Sequence, residues 1–457
     1  MKILLLLIIL LPFSAFYEIY GQEESQVIRN IFDEALTDQT AYENLRYLCK
    51  NCDGRVTGSS QAAAAVEFTF RVMSKMNLDT VYKQPVQVPR WVRGEKEQAS
   101  IQSGKFGKKG VPVAALGNSV GTGDVGLSAK VVEVHTFDEL KELGTENIKG
   151  KIVFFNRPMD PKMINTFGAY GKAANQRTQG AAEAAKYGAV GVVVRSLTTS
   201  QDDFPHTGVM MYEEGVPEIP AVAISTNGAN LLSEWLKTDP KLTFYFRTTC
   251  KTLPEVTSHN VIGEIKGSEF PDEIITVGGH IDSWDPGEGA HDDGAGCMQS
   301  IEVLRLYNKL GIKPKRTIRA VMFMDEEVAQ RGGKEYARQA ALNNENHYFA
   351  LEADRGGLMP RGFGVSAPAE RQEEILALKK YFEPYGIIDF KKGGGGVDIG
   401  PLKQFGIPLA SFIPEMQRYF DYHHSENDSF EQVNFREFQL GSAAIASFIY
   451  LIDKYDL

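Results

Sequence analysis

The chain has 457 residues, with 49 Lys and Arg against 59 Asp and Glu for a formal net charge of -10, and is 43% hydrophobic and 24% charged. That balance belongs to a globular chain with an ample core and excludes both a disordered chain and a membrane-embedded one. Its Lys and Arg are scattered, so it lacks the basic face by which proteins hold phosphate backbones, and nucleic acid is excluded as the main partner.

Residues 1–21 set Lys2 before an apolar run, Ile3 to Phe13, followed by small and polar residues, which is the layout of an export signal. The run is shorter than the roughly 20 apolar residues needed to cross a bilayer. The mature chain is therefore expected to be secreted or periplasmic and without a membrane anchor. Of the four cysteines, Cys49 and Cys52 form a CxxC with no second pair to complete a zinc knuckle. That leaves a local disulfide or two unpaired thiols.

Three stretches follow. In residues 22–125, helical periodicity runs from Glu24 to about Leu78, with a cap-like GSS at residues 58–60. TVYKQPVQVPRW then reads as a strand, and the Gly-rich passage from Gly104 to Gly126 as a crossing between units. In residues 126–250, the strand-like runs AKVVEV, KIVFFN, AVGVVVR, IPAVAIS and LTFYFR alternate with helical pieces such as GAAEAAKYG and ANLLSEWLK, which predicts a compact α/β insertion. In residues 251–457, HNVIGEI, EIITVGG, TIRAVMFM, YFALEA and PLASFIP alternate with helical segments. This pattern predicts an α/β unit with a mixed, largely parallel sheet flanked by helices on both faces.

The chemistry lies in this last stretch, where polar clusters begin as apolar strands end. EIITVGG runs into His280 and Asp282, TIRAVMFM into Asp325, Glu326 and Glu327, and YFALEA into Asp354. In a parallel sheet, ligands bind beyond the carboxyl ends of the strands, so these groups are expected on one rim. Two more clusters flank them: His291, Asp292 and Asp293 in GAHDDGAG, and His423 and His424 in DYHHSENDS. Each has a plainer reading alone. Asp292 or Asp293 could cap the helix that follows, Glu326 and Glu327 could open a solvated helix, Asp354 could sit in a turn, and a single His is more often packed than ligating. Their coincidence at three strand ends favours a metal site, because carboxylates gathered without cations raise one another's pKa and a divalent ion removes that cost. His with Asp and Glu and no thiolate suits zinc better than manganese or cobalt. A set this large exceeds one open tetrahedral site and suits two ions sharing a carboxylate, an arrangement that activates water for hydrolysis.

At these same residues the chain resembles the co-catalytic zinc exopeptidases, the family of bacterial leucyl aminopeptidases and glutamate carboxypeptidases. The likeness is carried by GGHIDSWDPGEGAHDDGAG, PKRTIR and YHHSENDS, with PRWVRGE, NQRTQGAAEAAKYGA and PHTG further upstream. It implies two Zn2+ ions, one held by His280 and Asp354, the other by Glu327 and His424, with Asp292 bridging them. Glu326 matches the general base and Asp282 the carboxylate that orients the His280 imidazole. A cis peptide between Asp292 and Asp293, a homodimer, and a protease-associated domain in the insertion are also implied. One departure stands out: the relatives' carbonyl-polarising Tyr is replaced here by His423, so the oxyanion contact passes to His423 or a neighbouring Tyr.

A receptor-like relative without catalysis would have lost ligands, and none of the five positions is lost here. A glutaminyl cyclase would work with one zinc and lack the insertion. The expected activity is therefore hydrolysis of short peptides, dipeptides foremost, with a carboxypeptidase or aminopeptidase acting on longer peptides as the alternatives. The motifs supply carboxylates and His but no placed Arg or Lys, which favours recognition of a free amine.

Overall fold

The computed structural model describes the backbone of residues 13–457 and side chains from residue 22. Residues 1–12, which hold nearly all of the apolar run read as an export signal, lie outside the described residues. No helix among the described residues is long and apolar enough to cross a membrane.

Two sheets organise the chain. The larger is built from β1 (Thr80–Val92), β2 (Lys251–Ile265), β3 (Phe270–His280), β4 (Arg316–Phe323), β5 (Asn346–Glu352), β6 (Pro360–Ser366), β7 (Asp389–Lys392) and β8 (Leu409–Pro414). Their order across the sheet is β1-β2-β4-β3-β5-β8-β6-β7. The four inner strands β4, β3, β5 and β8 are mutually parallel, while β1, β2 and β6 each pair antiparallel with a neighbour, so the sheet is mixed as expected. In register, His280 pairs with Phe323 and Gly278 with Glu352, so three strands end together.

Alternate residues of each inner strand serve opposite faces, the period-2 rule of a strand buried on both sides. Ile318, Ala320 and Met322 of β4 face the core formed with the helices α1 (Phe13–Thr37), α2 (Thr40–Asn51), α3 (Ser60–Ser74), α4 (Ala295–Leu310) and α6 (Phe435–Lys454). Val321 and Phe323 pack instead against Tyr336 and Ala337 of α5 (Arg331–Leu342). The cap-like GSS does open a helix, since Ser59 Oγ accepts from the Ala62 N–H of α3 at 3.0 Å. Gly279 and Gly296 permit a close approach at the head of α4, where a Cβ on either would collide with the Asp293 carboxylate. All four cysteines are buried free thiols.

The smaller sheet also has eight strands and includes Leu127–Val134, Ile152–Phe155, Gly191–Arg195, Ala221–Ile224 and Thr243–Arg247. It draws three further strands, Gln98–Ser103, Gly107–Gly110 and Val113–Ala115, from chain ahead of residue 126. The Gly-rich passage is therefore edge strand as well as crossing, because backbone pairing needs no apolar run to hold it. From this unit the helix Thr166–Ala173 packs on the larger one: Ala169 and Ala173 meet Leu358, Tyr419 and Phe420.

The loop after α2 is tied to the metal-side turn by one guanidinium. Arg55 is fully buried and donates to the carbonyls of Ile281 (2.6 Å), Glu288 (2.5 Å) and Gly289 (2.8 Å). Replacing Arg55 by Met should strand two buried acceptors and one half-buried one, and cost about 3 kcal/mol or more of stability. The shift of the urea unfolding midpoint measures this, and a change within about 0.5 kcal/mol, typical of surface positions, would contradict it.

Candidate metal centre

His280 ends β3 with its ring 1% exposed. Its backbone N–H donates to Asp293 Oδ2 at 3.1 Å, and its Nδ1 lies 3.0 Å from the carbonyl oxygen of Asp282. A carbonyl only accepts, so Nδ1 carries a proton and Nε2 is the nitrogen turned toward the centre. Nε2 is 3.2 Å from Asp292 Oδ1, 3.5 Å from Asp354 Oδ1 and 4.0 Å from Glu326 Oε2.

The Asp282 carboxylate stands farther off, its Oδ1 3.9 Å from Nδ1, while the backbone carbonyl takes the bond. The carboxylate is engaged elsewhere. It accepts the N–H groups of Asp325 (2.8 Å), Glu326 (3.2 Å) and Glu327 (3.4 Å), clamping the turn after β4. Within that turn Asp325 is left-handed, at φ 73°, and faces away from the centre, its Oδ2 3.4 Å from the Arg331 N–H.

Asp292 and Asp293 divide the roles that the sequence left open. Asp293 does the capping, taking the His280 N–H on one oxygen and the Gly296 N–H on the other. Asp292 enters the centre, with Oδ1 3.2 Å from His280 Nε2 and Oδ2 3.2 Å from His424 Nε2. The peptide between them is cis. Asp428, not singled out in the sequence, accepts the N–H groups of His291 (2.7 Å) and Asp292 (3.1 Å). His291 stays outside the centre, its ring stacked on Tyr422 with centroids 4.8 Å apart.

Glu327 Oε2 takes the indole N–H of Trp284 at 2.6 Å and lies 2.9 Å from His424 Nε2. Glu326, beside it, has a side chain 14% exposed and open to the cleft. His424 is left-handed at φ 61°. Its Nδ1 lies 3.3 Å from the Thr207 carbonyl, and the Thr207 N–H donates to the His424 carbonyl at 2.9 Å. His206 Nδ1 donates to the His423 carbonyl at 2.6 Å. The PHTG segment of the smaller unit thus holds the His423 and His424 pair from behind, and its signal in the sequence was only the motif itself. The two imidazoles stack with centroids 3.5 Å apart.

The electrostatics are those of a site suited to a cation. Burial opposes charge on His280 and His424, yet Asp354 lifts the first and Glu327 the second well above the usual histidine range. Burial raises the carboxyls of Glu326, Glu327 and Asp354, whereas the two histidines hold Asp292 well below the carboxylate range despite its burial. The residues fit a metal on direct grounds: His280 Nε2, Glu327 Oε1 and Asp354 Oδ1 are buried without any hydrogen-bond partner. Unpaired buried polar atoms are costly unless a ligand or ion completes them. His280, Asp292 and Asp354 form one group of donors within 4.8 Å, and Asp292, His423 and His424 form another, with Asp292 common to both.

Comparison with known proteins gives the chain its family. Residues 260–449 match the model of peptidase family M28. The chain belongs to that family and is a metallopeptidase. Among individual relatives it is similar to carboxypeptidase Q of Homo sapiens, 33% identical over 94% of this chain and 88% of that one, and of Xenopus laevis, 34% identical over 88% and 84%. Among solved structures, an M28 peptidase precursor from Shewanella amazonensis superposes with a TM-score of 0.90 at 34% identity, covering 94% of this chain and 97% of that one. A zinc aminopeptidase from Bacillus subtilis shares the fold at a TM-score of 0.64 and 21% identity, covering 90% and 94%.

Removing metal from the purified protein with a chelator should abolish peptidase activity while leaving far-UV circular dichroism nearly unchanged, since the donors sit at strand ends rather than in the core. Glu327→Gln should bind metal more weakly, because the amide cannot match a charged oxygen between Trp284 and His424. Atomic absorption of the variant, dialysed beside the parent, reads this directly. Full metal retention would remove Glu327 from the donor set.

Proposed function

We propose that this chain is an exported dizinc exopeptidase that hydrolyses short peptides, with dipeptides bearing a free amino terminus as its main substrates. The observation that carries the reading is Asp292, whose two oxygens are each 3.2 Å from the Nε2 of a different histidine. His280 and Asp354 would hold one zinc, Glu327 and His424 the other, with Asp292 shared. When bound, the pair supplies Lewis-acid polarisation of the scissile carbonyl and a water acidic enough to ionise near neutral pH.

The chain's own groups do the rest. Glu326 is the general base and acid: its carboxylate takes a proton from the attacking water and returns it to the departing amine. Support comes from its open side chain and from its 4.0 Å distance to His280 Nε2. Asp282 positions it by fixing the backbone N–H groups of the whole 325–327 turn. His423, held well below the usual histidine range by its burial and then by the charge of His424, is neutral and contacts the scissile carbonyl or its oxyanion. Its Nδ1 has no partner, which leaves that contact free to form.

The smaller unit, residues 126–250 together with the strands between 98 and 115, is read as a protease-associated domain inserted in a catalytic domain that takes the rest of residues 22–457. Export through the segment 1–21 and homodimer formation complete the proposal. The extended likeness to proteins named carboxypeptidase Q supports exopeptidase chemistry.

Glu326→Gln should retain its zinc yet lose about 100- to 10,000-fold in kcat, because an amide cannot accept the proton. Equal metal loss in Glu326→Gln and Glu327→Gln would refute the division between base and ligand. Substrate choice is tested with zinc-loaded protein on free dipeptides, the same dipeptides N-acetylated, and longer peptides amidated at the carboxyl end. Rapid cleavage confined to free dipeptides is the expected result. Release of a carboxy-terminal residue from acetylated peptides would mark a true carboxypeptidase instead, and trimming of the long amidated peptides an aminopeptidase.

A further inference from the structure

An enzyme confined to dipeptides must read both ends of its substrate. Two extended residues span only about 7 Å, so a group that reads the far carboxylate must stand almost beside the donors that hold the metal. The cations around the centre differ in whether they are free to do this. Arg177 is 5% exposed, with Nη2 bonded to the Tyr170 hydroxyl at 2.7 Å and Nη1 to the Thr207 carbonyl at 3.3 Å, so that only its buried Nε is unpaired. Arg418 is paired with Glu415 at 3.3 Å and Glu437 at 3.0 Å. Arg93 is held between Glu97 at 2.8 Å and Asp285 at 2.6 Å.

Arg355 is different. It follows the donor Asp354 directly beyond the end of β5, is partly exposed, and has no carboxylate within ion-pair distance among the described residues. Its guanidinium rests 5.1 Å from the Phe167 ring centroid, with Nη1 3.8 Å from the Met416 sulfur. Both neighbours are soft, largely apolar partners that fix the side chain while leaving its hydrogen-bond donors open. Phe167 itself stacks on Tyr419 at 5.2 Å and meets Phe420 edge-on at 4.9 Å, and Phe420 packs on His423 at 5.1 Å. The guanidinium therefore lies on the same wall as His423 and His424, between the donor Asp354 and a helix of the smaller unit. Thr166 Oγ1 ties that helix to the wall through the Met416 carbonyl at 2.9 Å. Arg355 is also among the charges that oppose the upward push of burial on the Asp354 carboxyl, which places it within electrostatic reach of the centre.

We propose that Arg355 is the specificity residue that binds the free α-carboxylate of the substrate, so that the enzyme selects dipeptides by an anchored carboxy terminus as well as by a free amine. A planar fork of donors on an apolar bed is the arrangement that takes a carboxylate bidentately. The inference rests on the dipeptidase reading above, and it supplies the cation that the sequence motifs alone did not identify.

The test compares alanyl-phenylalanine with alanyl-phenylalanine amide on zinc-loaded wild type, Arg355→Ala and Arg355→Lys. Wild type should prefer the free acid. Arg355→Ala should raise KM for the acid about 10- to 100-fold, the range of a charge-assisted hydrogen-bonded pair, with kcat and the amide reaction little changed. Arg355→Lys should restore part of the preference. As a readout apart from turnover, competitive inhibition by phenylalanine, but not by phenylalanine amide, should weaken in Arg355→Ala, while zinc content and melting temperature stay at the wild-type values. Equal losses on acid and amide would overturn the proposal and leave Arg355 a support for Asp354. Lack of preference for the acid in wild type would overturn it too. If wild type cleaved neither dipeptide, the dipeptidase reading itself would fall, an outcome separate from the other two.

Discussion

Asp292 lies buried between two imidazoles, each oxygen 3.2 Å from a different histidine nitrogen, and the rest of the centre is arranged so that this carboxylate stays ionised. A carboxylate taken out of water without partners would take up a proton. Here the histidines hold it charged, and their other nitrogens are in turn held by carbonyls, that of Asp282 for His280 and that of Thr207 for His424. Those carbonyls take the Nδ1 protons, so both Nε2 atoms are turned toward the same space. The shape of the surrounding loops follows from the need to aim these four atoms.

The acidic residues around the centre fall into two kinds by what their oxygens meet. Asp282, Asp293, Glu352 and Asp428 accept backbone N–H groups and serve as struts: Asp282 fixes the 325–327 turn, Asp293 the head of α4, Asp428 the backbone at 291 and 292, and Glu352 the chain at 397–399. Glu327 and Asp354 keep buried oxygens with no partner, as Asp325 and Asp398 also do, and of these four only Glu327 and Asp354 belong to the proposed donor set. Backbone dipoles thus neutralise one set of charges so that the other can be left for cations. This division reconciles many buried acids with a folded chain, since each strut carboxylate brings its own donors.

The smaller unit takes part in the site through backbone as much as through side chains. Residues 206 and 207 bond to the backbone at 423 and 424, and the helix Thr166–Ala173 braces the aromatic wall that carries those histidines. Left-handed His424 is a conformation that non-glycine residues adopt only when their surroundings hold them there, and the PHTG segment is that surrounding. A site so assembled depends on how the two units are packed, and loosening that contact would disturb a ligand without touching it.

The α/β alternation, the parallel inner strands and the clustering of polar residues just beyond them were all legible in the chain, because apolar runs and their Gly-flanked ends are local signals. The capping Ser59 and the donor types His, Asp and Glu belong to the same class. Other features depended on contacts between residues far apart in the chain. Whether Asp292 or Asp293 entered the centre depended on which could reach His424 while the other capped α4. Whether Asp282 used its carboxylate or its carbonyl depended on three N–H groups arriving from the turn after β4. Residues 98–115 joined the smaller sheet through backbone pairing, which leaves no side-chain pattern to read. Arg355 stood in plain view beside Asp354, yet its freedom from any carboxylate is a property of the packed wall. Spacing along a chain names the chemical groups; only the fold decides which of their atoms remain unpaired, because that depends on every neighbour that folding brings near.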